Sequence, residues 1–469
     1  MTIRLYDTKA QALADFVPRE AGKAGIYVCG PTVQSSAHIG HLRSALVYDL
    51  LRRWLSYRGL DVTLVRNVTD IDDKILANET PGDPWWALAY RFELEFTDGY
   101  RRIGIQAPTY EPRATASVTE MQAIILRLIE RGHAYPASDG SGDVYFDTAS
   151  WAPYGELTRQ KPANMEAATD ADPRGKKDPR DFALWKGHKP AEPESAAWPS
   201  PWGAGRPGWH IECSAMSSRY LGSAFDIHGG GLDLRFPHHE NELAQSTAAG
   251  DDFATLWVHN GLVNINGQKM SKSLGNSLFA AEFLELARPL VVRYYLGSAH
   301  YRSTIDYHDG ALVEAEAALE RIETFLARAD RRLEGTRFVG LPVIPPAFAE
   351  AMDDDLSVPQ AIAVLHDTVR AGNAALDGED LEAAAKARGE VIAMTEVLGI
   401  NPLSPEWASA GAASTDRALA ALVERLIDDR NAARAAKDFA AADRIRDELA
   451  GAGITVEDGP DGSHWSIES

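Results

Sequence analysis

Apolar residues at 25–28 form a short unbroken run, as in a strand buried on both faces. Across 41–57 the apolar positions Leu42, Ala45, Leu46, Leu50 and Trp54 recur at helical spacing, and a second apolar run follows at 62–68. Strand, loop, helix and strand in this order predict the opening of a doubly wound parallel sheet. Ligands of such sheets gather at the carboxyl ends of the strands, which places residues 29–41 where chemistry is expected.

Further along, residues 164–202 turn to proline, charge and small side chains, which reads as an insertion or flexible connection within the first domain. Apolar character returns at Phe225 and through 255–265, a return to the sheet. From Asp309 the pattern is helical, with Leu312, Leu319, Ile322 and Leu326 on one face, and a further helical segment covers 361–398. Residues 401–415 read as a Pro/Ser/Gly/Ala linker. The expectation is therefore an α/β chain: a Rossmann-type, doubly wound parallel-sheet domain at 1–120 and 205–300, interrupted by an insertion at 121–204. A helical bundle at 301–400 and a small C-terminal α+β domain at 416–469 follow.

With 469 residues, 45% of them hydrophobic, the chain can build several sizeable cores. Its formal net charge of -21 argues against a protein that coats nucleic acid nonspecifically, so a nucleic-acid partner needs a local basic face. The opening Met1-Thr-Ile-Arg has no apolar signal core and no uninterrupted run of 18 apolar residues occurs. A cytoplasmic setting without membrane attachment is expected, where thiols stay reduced.

Only two cysteines occur, Cys29 and Cys213. The reducing setting argues against a disulfide, while core filling is the ordinary fate of a lone buried thiol. His238 and Glu242, four residues apart, would share one face of a helix, which makes Cys29, Cys213, His238 and Glu242 a candidate zinc set. Shifting the register by one pairs His239 with Leu243, which cannot ligate. Composition leaves the metal and core filling both open.

Two short segments carry the sharper signal. In His38-Ile39-Gly40-His41, between the first strand and its helix, two imidazoles beside a helix N-terminus can donate to phosphate oxygens, and Gly40 lets a flat base approach the backbone. In Lys269-Met270-Ser271-Lys272-Ser273, flanked by Gly267 and Gly275, ammonium groups on a mobile loop suit a polyphosphate. Either segment alone is compatible with surface histidines or a solvated turn.

Together they resemble the HIGH and KMSKS signatures of class I aminoacyl-tRNA synthetases, letter for letter. More narrowly, the chain resembles the cysteinyl-tRNA synthetase family over essentially its full length. The supporting segments are Tyr27-Val-Cys-Gly-Pro-Thr32, Asn67-Val-Thr-Asp-Ile-Asp-Asp-Lys74, Pro207-Gly-Trp-His-Ile-Glu-Cys-Ser-Ala-Met216, Asp226-Ile-His-Gly-Gly-Gly-Leu-Asp-Leu234 and Phe236-Pro-His-His-Glu-Asn-Glu242.

The resemblance implies a ligase that activates L-cysteine with ATP and transfers it to tRNA(Cys), with one zinc ion on Cys29, Cys213, His238 and Glu242 and with magnesium accompanying the ATP. It further implies His38, Gly40 and His41 at the nucleotide, Lys269 and Lys272 at the pyrophosphate, Thr69, Trp209 and His228 around the cysteine, and a monomer. A metal is useful because cysteine and serine are near-isosteres that size and hydrogen bonds separate poorly, whereas zinc prefers a soft thiolate. One departure stands out: Gln34-Ser35-Ser36 replace the aromatic and acidic residues frequent in the family at that point.

The C-terminal residues resemble the family's anticodon-binding domain, with Arg430, Arg434 and Lys437 as a helical stripe for tRNA and Trp465 as a base-stacking surface; a solvated helix face is the alternative. Rival functions are a mycothiol-pathway ligase joining cysteine to an aminosugar, which normally lacks an anticodon domain, and a noncatalytic zinc-stabilised RNA-binding module. His228-Gly-Gly-Gly231 suggests a hydrolase but has no nucleophile elbow. Gly203-Ala-Gly-Arg-Pro-Gly208 fits a dinucleotide fingerprint by letter, yet follows a proline-rich stretch and carries Pro207 at the helix start.

Overall fold

The computed structural model describes residues 2–160, 175–270, 275–334, 343–459 and 462–467. Four parallel strands form the central sheet: β1 (Lys23–Val28), β2 (Asp61–Arg66), β3 (Ala224–Gly231) and β4 (Phe253–Asn260), in the order β4-β3-β1-β2. Parallel bridges Val65↔Tyr110 and Val68↔Arg113 extend it beyond β2, along an edge that carries no apolar run in the sequence. From β1 the chain crosses to β2 on one side and later to β3 on the other. The carboxyl ends of β1 and β3 thus flank a topological switch point.

Helix α1 (Ile39–Tyr57) covers one face of the sheet: its Tyr48 hydroxyl donates to the Gly230 and Val258 carbonyls at 3.0 and 2.8 Å. A Cβ on Gly229 would lie 2.2 Å from the Tyr48 ring, so the close approach requires glycine there. Helix α2 (Trp209–Leu221) packs on the opposite face, where Leu221 meets Gly25.

Between β2 and β3 lies a four-stranded antiparallel sheet made of Ala134–Pro136, Val144–Phe146, Phe182–Gly187 and Gly205–Pro207. The Phe182–Gly187 strand is nearly all buried, although its surroundings read as a flexible connection. Proline and charge mark the turns on either side of it, and those turns dominate the local composition. The G-x-G-x-x-G string ends in the edge strand of this sheet, with the Arg206 side chain buried, so it forms no dinucleotide loop.

After the sheet come α3 (Pro289–Ser298), α4 (Ala311–Leu333), α5 (Val358–Asp377) and α6 (Leu381–Leu398). Leu312, Leu319, Ile322 and Leu326 of α4 are all buried. The helical segment expected over 361–398 consists of two helices, parted at Gly378. Two buried arginines tie these helices to the sheet. Arg43 of α1 donates to the Leu296, Ala299 and His300 carbonyls, and Arg293 of α3 pairs with Asp49 of α1 at 2.6 Å.

Residues Met1–Asn401 form one compact unit and Pro402–Ser469 a second. In the second, α7 (Pro405–Ala435), α8 (Phe439–Gly451) and a hairpin of Ile454–Gly459 with Gly462–Ile467 enclose a small core of Val423, Ile427, Leu449 and Ile454. Helix α7 starts at Pro405, inside the segment that read as a linker. Its alanines favour helix although they supply no apolar period. No helix among the described residues is long and apolar enough to cross a membrane.

Candidate active site and metal centre

Past their carboxyl ends, β1 and β2 continue side by side. The Cys29 amide donates to the Gly229 carbonyl at 3.0 Å, the Thr69 amide to Pro31 and the Val33 amide to Thr69, each at 3.1 Å. The Asn67 amide oxygen accepts from the Gly30 backbone N–H at 2.9 Å and lies 3.6 Å from the Cys213 sulfur. This lacing holds Cys29 at the switch point.

Cys213 comes from α2, and His238 and Glu242 from the helical stretch that ends in Glu240–Ala248. The two sulfurs are 3.6 Å apart and unbonded. Glu242 Oε1 lies 3.3 Å from Cys29 Sγ and 3.1 Å from His238 Nε2. A tetrahedral zinc with bonds of about 2.0–2.3 Å would separate such ligand atoms by roughly 3.4–3.8 Å; these three separations fall within about 0.3 Å of that range, and all four ligand atoms lie within 4.8 Å of one another.

The donor chemistry fits as well. Burial pushes both thiols up and His238 down, so without a cation the set stays neutral at the sulfurs and imidazole. A bound divalent cation reverses this for the thiols. His210 Nδ1 sits 2.8 Å from His238 Nδ1 and turns the other ring nitrogen toward Glu242.

A second group, Cys29, His228, His239 and Glu242, is also compact enough for a metal. It holds a single thiol, and of its two histidines His228 meets Glu242 within the group while His239 is tied outside it, Nδ1 to His259 Nε2, each at 2.8 Å. The two-thiol set suits zinc better.

Beside the cage opens a cavity of about 630 Å³, lined by residues that include Cys29, His38, Gly40, His41, Trp209 and Lys269. His38 caps α1, and its ring stacks on His41 with centroids 3.7 Å apart. A Cβ on Gly40 would come within 3.0 Å of the His38 ring, so the bare backbone there leaves room that a side chain would take. Among the expected cysteine contacts, Trp209 lines the cavity and stacks on His238 at 4.2 Å. Thr69 and His228 are buried behind it. The Thr69 hydroxyl donates to Glu212 at 2.8 Å, and His228 stacks on Trp257 at 4.5 Å.

The loop that begins at Lys269 is anchored at both ends. Gln268–Lys269 pairs with Val263–Ile265, and beyond the loop the Ala280 amide donates to the Ala37 carbonyl at 2.8 Å and the Ile39 amide to Leu278 at 3.1 Å. Lys269 and Met270 therefore face the same cavity as His38 and His41. Lys272 lies outside the described residues.

Sequence reasoning missed several supports. Asn67 and His210 stand inside the quoted segments yet carry no spacing signal of their own, and His259 has none at all. The departure at 34–36 has a local counterpart: Glu95 accepts from the Ser36 hydroxyl at 3.0 Å and from the Ala37 amide at 3.1 Å, fixing the entry to His38.

In the C-terminal unit the basic stripe is incomplete. Arg430 is buried and Arg434 exposed on α7, whereas Lys437 lies past the helix end with φ 61° and leaves their face. Trp465 pairs across the hairpin with Val456 and packs on the small core, with part of its ring area exposed.

Comparison with known proteins agrees with this architecture. Residues 15–317 match the family described as "tRNA synthetases class I (C) catalytic domain", 347–402 the "DALR domain" and 416–465 the "Cysteinyl-tRNA ligase anticodon binding domain". The cysteine–tRNA ligase of Leifsonia xyli subsp. xyli is 74% identical over 477 residues, and that of Clavibacter sepedonicus 71% over 482, each match covering 100% of both chains. Among solved structures, Mycobacterium tuberculosis methionyl-tRNA synthetase bound by methionyl-adenylate superposes with a TM-score of 0.58 at 17% identity, covering 83% of this chain and 93% of that one. The ternary LeuRS–tRNA–LeuAMS complex of Agrobacterium radiobacter K84 gives 0.61 at 12%, covering 84% and 86%. At such identities these two show the fold alone. A Rossmann-type sheet with the first signature segment and the opening Lys269-Met270 of the second on one cavity, together with full-length relatives of one kind, places the chain in the cysteine–tRNA ligase family of class I aminoacyl-tRNA synthetases.

Proposed function

We propose that this chain joins L-cysteine to tRNA(Cys) in two steps within the cavity, and that Cys29, Cys213, His238 and Glu242 hold a zinc ion that selects the amino acid by its thiol. The observation that carries the reading is the adjacency of that four-ligand cage, through Cys29, to the cavity that His38, His41 and Lys269 line. A zinc ion there supplies a soft Lewis acid that favours a thiolate over an alcohol.

In the first step the cysteine carboxylate attacks the α-phosphorus of ATP, and the bond to pyrophosphate breaks. No side-chain nucleophile is required, so the residues act by position and charge. His38 and His41, at the positive end of the 19-residue helix α1, donate to the phosphate oxygens. Gly40 gives adenine a bare backbone to lie against. Lys269, with Lys272, takes up charge on the departing pyrophosphate, magnesium entering with the ATP. Trp209 closes one wall, and Thr69 and His228 set the floor of the cysteine pocket from behind. In the second step the terminal ribose hydroxyl of the tRNA displaces AMP from the acyl carbon.

The test is cysteine-dependent exchange of pyrophosphate into ATP, followed by acyl transfer to tRNA(Cys) or to an aminosugar acceptor. Exchange with transfer to tRNA alone is the expected result; transfer to the aminosugar would make the chain a mycothiol-type ligase, and absence of exchange would leave an RNA-binding module. The C-terminal unit, with Arg430, Arg434, Lys437 and Trp465, serves the anticodon end of the tRNA. A variant ending at Asn401 is expected to keep its exchange rate and to lose tRNA charging by about 1,000-fold or more, the lower end of the gap between specific and non-specific nucleic-acid binding. Equal loss of both reactions would give the unit a folding role instead.

A further inference from the structure

The cavity wall runs against the charge of the chain. On a protein of net charge -21, the titratable side chains lining the cavity include His38, His41, Arg66, Lys74 and Lys269, against Asp233 as the carboxylate. Such a wall concentrates anions. Arg66 is already committed, to Glu111 at 2.7 Å and over the Tyr100 ring. Lys74 is exposed, and among the described residues no carboxylate lies within 4 Å of its ammonium.

The segment carrying Lys74 is fixed on three sides, which a solvated surface turn does not need. Asp72 accepts from the Lys74 backbone N–H at 2.9 Å. Next to it, Asp73 bridges two cations of the inserted sheet, Lys186 at 2.6 Å and Arg206, the latter 2% exposed and also 3.2 Å from Glu192. Burial pushes the Asp73 carboxyl up, and Lys186 and Arg206 outweigh it, holding it at about 2. Behind Ala77, Asn78 donates to the Gln34 carbonyl at 3.1 Å, on the segment that leads into His38.

We propose that Lys74 is a phosphate-binding residue of this site, its ammonium taking an oxygen of ATP or of the terminal phosphodiester of the tRNA, with Asp73 as the residue that positions it. The inference rests on the ligase reading above. Fixing the backbone at Asp72 and Asp73 leaves only the lysine stem to be ordered on binding, which lowers the entropic cost of the contact.

The test compares Lys74→Ala and Lys74→Arg in the full-length, zinc-loaded protein, with Lys386→Ala, on the outer face of α6, as control. A charge-assisted contact predicts a loss on the order of 10- to 100-fold for Lys74→Ala, with most of it recovered by Lys74→Arg. Loss in pyrophosphate exchange, with a raised KM for ATP, assigns the contact to ATP. Loss confined to transfer from preformed cysteinyl-adenylate, with a raised KM for tRNA, assigns it to the phosphodiester. Lys74→Ala within about twofold of the unsubstituted protein in both reactions, or Lys74→Arg as impaired as Lys74→Ala, overturns the proposal, since a charge-assisted bond is worth more than that. Absence of cysteine-dependent exchange in the unsubstituted protein would instead overturn the ligase reading.

Discussion

Serine at position 213 is expected to leave the fold intact and the metal site empty. The Cys213 side chain is 1% exposed and close to isosteric with serine, so packing changes little. The donor changes from a thiolate to a hydroxyl that does not ionise at neutral pH, and one of the two sulfurs 3.6 Å apart is gone. Removing an outer partner of a metal ligand typically costs 10–100-fold in affinity, and removing the ligand itself should exceed that, on the order of 100-fold or more. Elemental analysis should find zinc well below one ion per chain, and cysteine-dependent exchange should fall in parallel. The same variant separates the two candidate metal groups, because Cys29, His228, His239 and Glu242 do not use residue 213. Retained zinc together with retained preference for cysteine over serine would move the metal to that second group.

The second large effect is on stability. Arg293→Met should destabilise the first unit by about 3–5 kcal/mol, the usual cost of leaving one partner of a buried ion pair behind. Arg293 and Asp49 are each 1% exposed, and the guanidinium also donates to the Ile103, Gly104 and Leu398 carbonyls. Burial pushes the Asp49 carboxyl up, but Arg293 and Arg53 outweigh it and hold it below its ordinary value. Stability from such a depressed carboxyl is present above the unfolded value near 4 and is lost as pH falls through the folded one. The gap between parent and Arg293→Met should therefore be full at pH 7 and shrink below about pH 4. Urea unfolding at both pH values checks this; a loss under about 1 kcal/mol at pH 7 would mean that the pair contributes no more than an exposed one.

Much of this was legible from residue order alone, for identifiable reasons. Strands β1 and β2 follow their unbroken apolar runs because helices cover the sheet on both faces, and helices α1 and α4 follow their apolar periods because each buries one face, so the pattern reports burial directly. The pairing of His238 with Glu242 follows from helical spacing, which is local. What spacing does not carry is contact between distant segments. Cys29 and Cys213 are 184 positions apart, and their meeting depends on β1 lying between β2 and β3. Arg293 and Asp49, 244 positions apart, gave no signal for the same reason. Phe182–Gly187 was hidden by the prolines that end its turns. Lys437 shows the converse error, a helical spacing extrapolated one step past the point where the backbone turns left-handed.

The central claim is that the metal on Cys29, Cys213, His238 and Glu242 meets the thiol of the amino acid. X-ray absorption at the zinc edge, recorded on the full-length protein alone, with L-cysteine and with L-serine, tests it most directly. The account predicts two sulfur neighbours per zinc in the protein alone, three with L-cysteine and two with L-serine. Two sulfurs in all three samples would make the zinc a structural ion and contradict it.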